Sequence, residues 1–383
     1  MTSMSRGIDN PSTIRLTFVG DICLAGGLQA DLLERGPGFP FVHVRGALEA
    51  ADLVVGNLEC CIVEQHRGLE PQNNRLIVPE HLASGLSKSG ITVVSLANNH
   101  ILDGGEEGLV STQRFLEEQG ILYFGAGANI KDAESPLLVP CKGRVIAFLG
   151  ACDVPNVHAK ASRSGVAPFD GARLRRRISE CKEQSDIIVV SIHADLEFTA
   201  YPSPKRVRLS RWLADLGAHL VVQHHPHVCQ GIEEFSSSII AYSLGNFVFR
   251  VTGNEYLESK TGTEWGLILE VDVSTSGTRP QLSYRVCPVT ITAQNQTILS
   301  EGRDRDTQLQ VVAEVSAALA NWNVLRRHRM ARCLAEARST AYMLYYLGCR
   351  NGMSAMLFAA VEILKSPYER RWIYSLLTLG VLG

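Results

Sequence analysis

The chain has 383 residues, 45% of them apolar and 20% charged, and 37 Lys and Arg against 39 Asp and Glu leave a formal charge of −2. This balance excludes extended disorder, collagen-like or low-complexity sequence and a general polyanion binder, so no nucleic-acid partner is expected. The length suits two or three domains, or one large domain with an appendage.

Met1–Ser12 is polar and carries no apolar leader or cleavage signal, so it is expected to be an N-terminal tail over residues 1–13. From residue 14 to about 290, short β-branched runs alternate with helical patterns. Strands are predicted at Ile14–Val19, Leu53–Val55, Ile91–Leu96, Val145–Leu149, Ile187–Ile192, Leu220–Val222 and Ile239–Tyr242. Nearly all are continuous apolar runs, as expected of strands buried on both faces. Helices are predicted at Phe41–Ala51, Pro79–Ser89, Glu106–Gln119, Gly171–Gln184 and Pro204–Leu216. That alternation defines a layered α/β domain over residues 14–292. Leu267–Val273 and Gln281–Thr292 alternate more strictly and suit an antiparallel pair closing it.

Residues 293–306 turn polar and are expected to be a linker, with a helical extension over 307–383. There Leu334, Ala337, Ala341, Leu344 and Leu347 form an apolar stripe at helical spacing. Residues 321–350 also hold six Arg (326, 327, 329, 332, 338 and 350) and one acid, Glu336. Such a basic helix either makes a peripheral contact with an anionic membrane or a partner protein, or packs on the main domain with its charges in water. No window reaches the roughly 18 apolar residues of a membrane span. The ten cysteines lack C-x-x-C spacing and read as buried thiols of a reducing compartment, so a cytoplasmic protein is expected.

The chemistry concentrates at strand ends. These are Gly20-Asp21, Gly56-Asn57-Leu58-Glu59, Ala97-Asn98-Asn99-His100 with Asp103, His193-Ala194-Asp195-Leu196-Glu197, Gln223-His224-His225-Pro226-His227 and Ser243-Leu244-Gly245-Asn246-Phe247. Open α/β sheets bind ligands beyond the carboxyl ends of their strands. Oxygen and imidazole donors without a thiolate suit catalytic Zn, Mn or Fe rather than a closed structural zinc. Asp21 and Glu59 offer anionic oxygens, one of which can bridge two ions. Asn99 offers a neutral oxygen, and His193, His225 and His227 offer imidazoles. In an extended segment His225 and His227 point to one side. His100 is placed to protonate a leaving group, with Asp103 orienting its ring. Each string also has a plainer reading as turn chemistry, Gly20-Asp21 above all.

As a set in this order, the strings resemble the CapA family of capsule, or poly-gamma-glutamate, biosynthesis proteins, within the calcineurin-like metallophosphatase superfamily. The resemblance spans about residues 14–290. It implies a four-layered α/β/β/α sandwich with a metal centre at the sheet edge, held by Asp21, Glu59, Asn99, His193, His225 and His227, with His100 as the acid. Asn57, Asn98, Asp103, Asp195, Glu197, His224, Ser243 and Asn246 are expected to support the ligands or face substrate. Position 23 is Cys where the superfamily has a metal-site His, position 195 is Asp where the family commonly has Gly, and position 223 is Gln where Gly is usual.

Three functions remain open at this point. One is hydrolysis of a phosphoester or amide assisted by one or two divalent ions. The second is metal-free epimerisation of a peptide or amino acid by Asp21, His100 and a histidine of the 225/227 pair. The third is non-catalytic assembly of an acidic polymer.

Overall fold

The computed structural model describes residues 13–64, 75–274, 276–277, 280–351, 353–365 and 373. In chain order, the strands of its large sheets are β1 (Thr13–Ile22), β2 (Leu53–Leu58), β3 (Val93–Ser95), β4 (Leu122–Phe124), β5 (Leu137–Cys141), β6 (Arg144–Cys152), β7 (Ile187–His193), β8 (Leu220–His224), β9 (Ile232–Phe235), β10 (Ser238–Ala241), β11 (Asn246–Val248), β12 (Trp265–Ser274), β13 (Gln281–Ile291) and β14 (Thr297–Leu299). The longer helices are α1 (Leu28–Arg35), α2 (Gly105–Glu118), α3 (Gly171–Gln184), α4 (Pro204–Asp215), α5 (Gly302–Ala318), α6 (Trp322–Asn351) and α7 (Met353–Lys365).

The first sheet runs β14-β13-β12-β1-β2-β3-β4, with β11 added to the end of β1. Its half from β1 to β4 is parallel, and β12 and β13 close it antiparallel. The second sheet runs β9-β10-β8-β7-β6-β5, with a parallel centre and antiparallel edges. Successive strand residues point to opposite faces, so each sheet presents two apolar faces. The inner faces meet through Leu16, Phe18, Val55, Phe124, Phe148, Val189, Val222 and Leu269. Outside the first sheet lie α1 and α2, with Leu28, Leu32, Leu109 and Phe115 against Val54 and Val94. Outside the second lie α3 and α4, with Leu174, Ile178, Val207 and Leu213 against Leu149, Val190 and Val221. Helix, sheet, sheet and helix give four layers, and each fully buried aromatic or aliphatic side chain contributes about 1.5–3 kcal/mol.

Two expected helices are broken. Residues 41–51 give a 3-10 turn at Phe39–Phe41 and a short helix at Arg45–Leu48. Residues 79–89 give Glu80–Ala83 and a 3-10 turn at Leu86–Lys88. The second break falls at Gly85, where a Cβ would lie 2.0 Å from the Pro37 carbonyl oxygen, so only glycine admits the crossing chain. The polar stretch 293–306 is not a free connector, since β14 pairs with β13 there and α5 begins at Gly302. Ser300 is tied in by Thr290, 2.8 Å away, and by the Gln308 amide, which donates to it at 3.0 Å.

Helix α6 docks mainly through residues outside the expected stripe, of which Ala337 does pack against Leu196 and Cys333. Leu325 and Cys333 are fully buried, whereas Leu334 is 43% exposed. Ala341 is exposed as well, and the side chain of Leu347 lies outside the described residues, as does that of Arg350. The inward face also carries Arg329, which finds a buried carboxylate (below), so charge pairing outweighs apolar periodicity here. No helix among the described residues is long and apolar enough to cross a membrane.

Candidate metal centre

The carboxyl end of β1 carries Asp21 into the crevice between the sheets. Its amide donates to the Gly245 carbonyl at 2.9 Å. The preceding Gly20 has no room for a side chain, because a Cβ would lie 2.1 Å from that same oxygen. The glycines of the first and last strand-end strings are therefore needed to let two backbones touch. Glu59 follows β2 and is fixed by its amide, which donates to the Ile22 carbonyl at 2.8 Å. Both carboxylates are completely buried.

Between them stands Asn57. Its Nδ2 lies 2.9 Å from Asp21 Oδ1, 3.4 Å from Glu59 Oε2 and 3.3 Å from His193 Nδ1. Asn98 in turn donates to Asn57 Oδ1 at 3.2 Å and to the Leu58 carbonyl at 2.8 Å. This amide chain fixes which face of each carboxylate turns inward.

The second sheet supplies the imidazoles. His193 closes β7, and its Nε2 lies 2.6 Å from Asn99 Oδ1. His224 closes β8, with Nδ1 3.1 Å from Asp21 Oδ1. His225 and His227 follow with φ of +97° and +56°, a left-handed backbone that side chains other than glycine adopt at a cost. His227 Nδ1 donates to Asn246 Oδ1 at 3.0 Å, while Asn246 Nδ2 donates to the Thr263 carbonyl at 2.8 Å. That leaves His227 Nε2 facing Glu59 Oε1 at 3.7 Å.

Donor atoms of Asp21, Glu59 and His193 lie within 4.8 Å of one another, and so do those of Glu59, His225 and His227. Glu59 belongs to both groups. Asp21 Oδ2 and Glu59 Oε1 are buried and accept no hydrogen bond. Two carboxylates so buried require compensating positive charge, which a protonated His227 or a bound cation supplies. The titration follows that need. Burial resists ionisation of Asp21, yet His224 and His227 hold its carboxyl well below the usual range. Burial pushes Glu59 well up, against the pull of His227 and with the help of Asp21. Burial also disfavours the His227 cation, but Glu59 and Asp21 raise it to about 10. His193 is held well below its ordinary value by burial and by His225. Two carboxylates with orphaned oxygens, a neutral His193 and a His227 that would release its proton on binding fit a divalent cation.

The other expected residues divide by position. His100 is half-buried, with Nδ1 2.8 Å from Asp103 Oδ2, and that oxygen also accepts the Leu76 amide at 2.6 Å. Glu197 is half-buried and its charge acts on Glu59 and His227. Ser243 accepts the Gly245 amide at 3.2 Å and so holds the turn rather than facing the donors. Asp195 turns away as well. Its carboxylate accepts the Ser203 amide at 2.8 Å and pairs with Arg329. Burial opposes its ionisation, but Arg329 and Arg206 hold it far below the usual range. Two aromatic neighbours of His227 carried no sequence signal: Phe198 stacks with centroids 5.9 Å apart, and Phe249 meets it edge-on at 5.1 Å.

Four layers with a His, Asp and Glu cluster at the carboxyl ends of both sheets define a protein of metallophosphatase-like fold. Residues 15–251 match the family described as bacterial capsule synthesis protein PGA_cap, and the chain belongs to that family. It is 33% identical to the capsule biosynthesis protein CapA of Bacillus anthracis over 245 residues, 62% of this chain and 60% of that protein. It is also 33% identical to the PGA biosynthesis protein CapA of Bacillus subtilis (strain 168) over 237 residues, 61% of this chain and 62% of that protein. The match thus spans less than two thirds of these relatives. A crystal structure of 5'-nucleotidase from Candida albicans SC5314 superposes with a TM-score of 0.42 and 10% identity, over 80% of this chain and 58% of that one. The fold assignment rests on the layers themselves.

Proposed function

We propose that the centre hydrolyses a phosphoester or amide bond with the help of one or two divalent cations, which Asp21, Glu59, His193, His225 and His227 would hold. The observation that carries this reading is that one buried carboxylate is shared by two donor groups, one with Asp21 and His193 and one with His225 and His227. Divalent ions bound there would supply Lewis acidity to a substrate oxygen and lower the pKa of water toward about 7. The chain's own residues do the rest. Asn57 and Asn246 orient the ligand side chains. His100 sits at the rim with Nδ1 committed to Asp103, which leaves Nε2 to hand a proton to the departing oxygen or nitrogen. The relatives' names in capsule and PGA biosynthesis support an acidic polymer or its precursor as the substrate class.

The test is elemental analysis of the purified protein, followed by hydrolysis of a simple phosphodiester and a γ-glutamyl amide before and after chelation. Retained Zn, Mn or Fe, with activity lost on chelation and restored by one of these ions, is the expected result. Hydrolysis undiminished in metal-stripped protein, or wild type that retains none of these ions, overturns the reading.

A further inference from the structure

Helix α6 lies outside residues 15–251, where the family match ends, yet it reaches the loop that follows His193. Four of its residues, on one face, touch that loop. Arg329 pairs with the Asp195 carboxylate, whose side chain is only 3% exposed. Arg332 donates to the Glu197 carbonyl at 3.4 Å, and His328 stacks on Tyr201 with ring centroids 3.8 Å apart. Cys333 is fully buried against Leu196. Asp195 has φ of +90°, a backbone that glycine adopts without the cost a side chain brings. What holds aspartate there is its wiring, to Arg329, to the Ser203 amide at 2.8 Å and to its neighbour's amide, Leu196 N–H, at 3.0 Å.

The same loop is tied to the metal centre at its other side. The Phe198 amide donates to the Pro226 carbonyl at 2.8 Å, inside the His225-Pro226-His227 string, and the Phe198 ring stacks on His227. At the loop's start, the Ala194 amide donates to the His224 carbonyl at 3.1 Å. A continuous set of contacts therefore runs from α6 through residues 195–201 to the histidines.

We propose that Arg329 is a positioning residue for the metal centre: through Asp195 it clamps the 195–201 loop, and so makes the C-terminal helix part of the working site. The inference rests on the proposed function only for its metal-binding arm. In metal-stripped, full-length protein, Arg329→Ala raises hydrogen exchange of the 195–203 amides about tenfold or more, with exchange in the β6–β7 core unchanged. In the metal arm, Arg329→Ala weakens Mn²⁺ binding by about fivefold or more, and Arg329→Lys by less, since it keeps the charge but not the planar fork. In an Asp195→Gly background, which suits φ +90°, Arg329→Ala has a smaller further effect on both readouts, because this coupling partner is gone. Unchanged loop exchange in a folded Arg329→Ala protein overturns the clamp. A loosened loop with unchanged Mn²⁺ affinity overturns the positioning role. If wild type takes up no Mn²⁺, the metal reading falls and the exchange data alone decide the clamp; should Arg329→Ala not fold, Arg329→Lys carries the same comparison.

Discussion

The first sheet brings oxygen to the crevice, through Asp21, Glu59 and the Asn99 loop, whereas the second brings nitrogen, through His193, His224, His225 and His227. Within either sheet alone, these groups would repel or compete as like neighbours. Across the crevice they offset one another, which is why Asp21 stays ionised despite complete burial. The centre is thus a property of sheet packing rather than of any one strand, and its integrity depends on an apolar core that contains no ligand.

Glu59 is where the two halves join, so replacing it has the largest expected effect. Glu59→Gln keeps the shape but removes the charge shared by both donor groups. Metal affinity, measured by competition with a chelator, is expected to fall by well over about 100-fold, more than loss of a supporting hydrogen bond causes. Asp21→Asn strips one group only, so a partial loss is expected there. Equal losses in the two variants would show that Glu59 does not serve both donor groups.

The next test attacks the packing and leaves every donor in place. Phe148 of the second sheet and Phe124 of the first meet between the layers with ring centroids 5.6 Å apart. Phe148→Ala is expected to cost about 3–5 kcal/mol in urea unfolding. A double-mutant cycle with Phe124→Ala is expected to give a coupling of about 0.5–1.5 kcal/mol. Additive effects would mean that the two sheets do not communicate through this pair.

Asn57 sharpens the comparison at smaller cost, because its amide touches carboxylates of one sheet and an imidazole of the other. Asn57→Ala is expected to weaken metal binding by about 10–100-fold and to cost about 1–3 kcal/mol of stability, because it strips a partner from buried groups. Asn57→Asp adds a third buried carboxylate, so a drop in stability of the metal-free protein is expected as well. A metal affinity unchanged in Asn57→Ala would reduce Asn57 to packing.

Much of this arrangement is legible in the sequence because the strands are buried on both faces. Continuous apolar runs such as Ile187–Ile192 end abruptly in polar residues, and the structure extends that run by one residue, to His193. α3 spans Gly171–Gln184 as expected, with Asp170 capping it by accepting the Arg173 amide. The short strands β4, β5 and β11 escaped, since three to five residues, one of them Pro140, carry little periodicity. At the site, residue types and strand-end positions were visible, but their mutual bonds were not. Asn57 and His193 are 136 residues apart and Arg329 and Asp195 are 134 apart, and no local pattern encodes either pair. Asp195 is the instructive case. Beside His193 it looks like a group facing the centre, yet left-handed backbone geometry and a distant arginine turn it the other way.

The smallest expected effect separates the histidines at the two ends of the second sheet. His219 precedes β8, at the end opposite the candidate metal centre, and its Nδ1 accepts the Ile188 amide at 3.0 Å. Burial, with a contribution from Lys182, lowers its pKa below the ordinary value. The folded state therefore holds the ring neutral, while the unfolded chain takes up a proton as pH falls below about 6.5. Stability from this residue is complete above that pH and declines below it, until the depressed folded pKa is reached. His193 is shifted in the same direction, so wild type alone cannot separate the two. The difference between wild type and His219→Gln, measured by urea unfolding from pH 7.5 down to 5, isolates the distal histidine. The wild-type curve is expected to fall more steeply than that of the variant, whether or not metal is present. A difference that vanishes on chelation would place the titration at the centre instead, and the two ends of the sheet would no longer be independent.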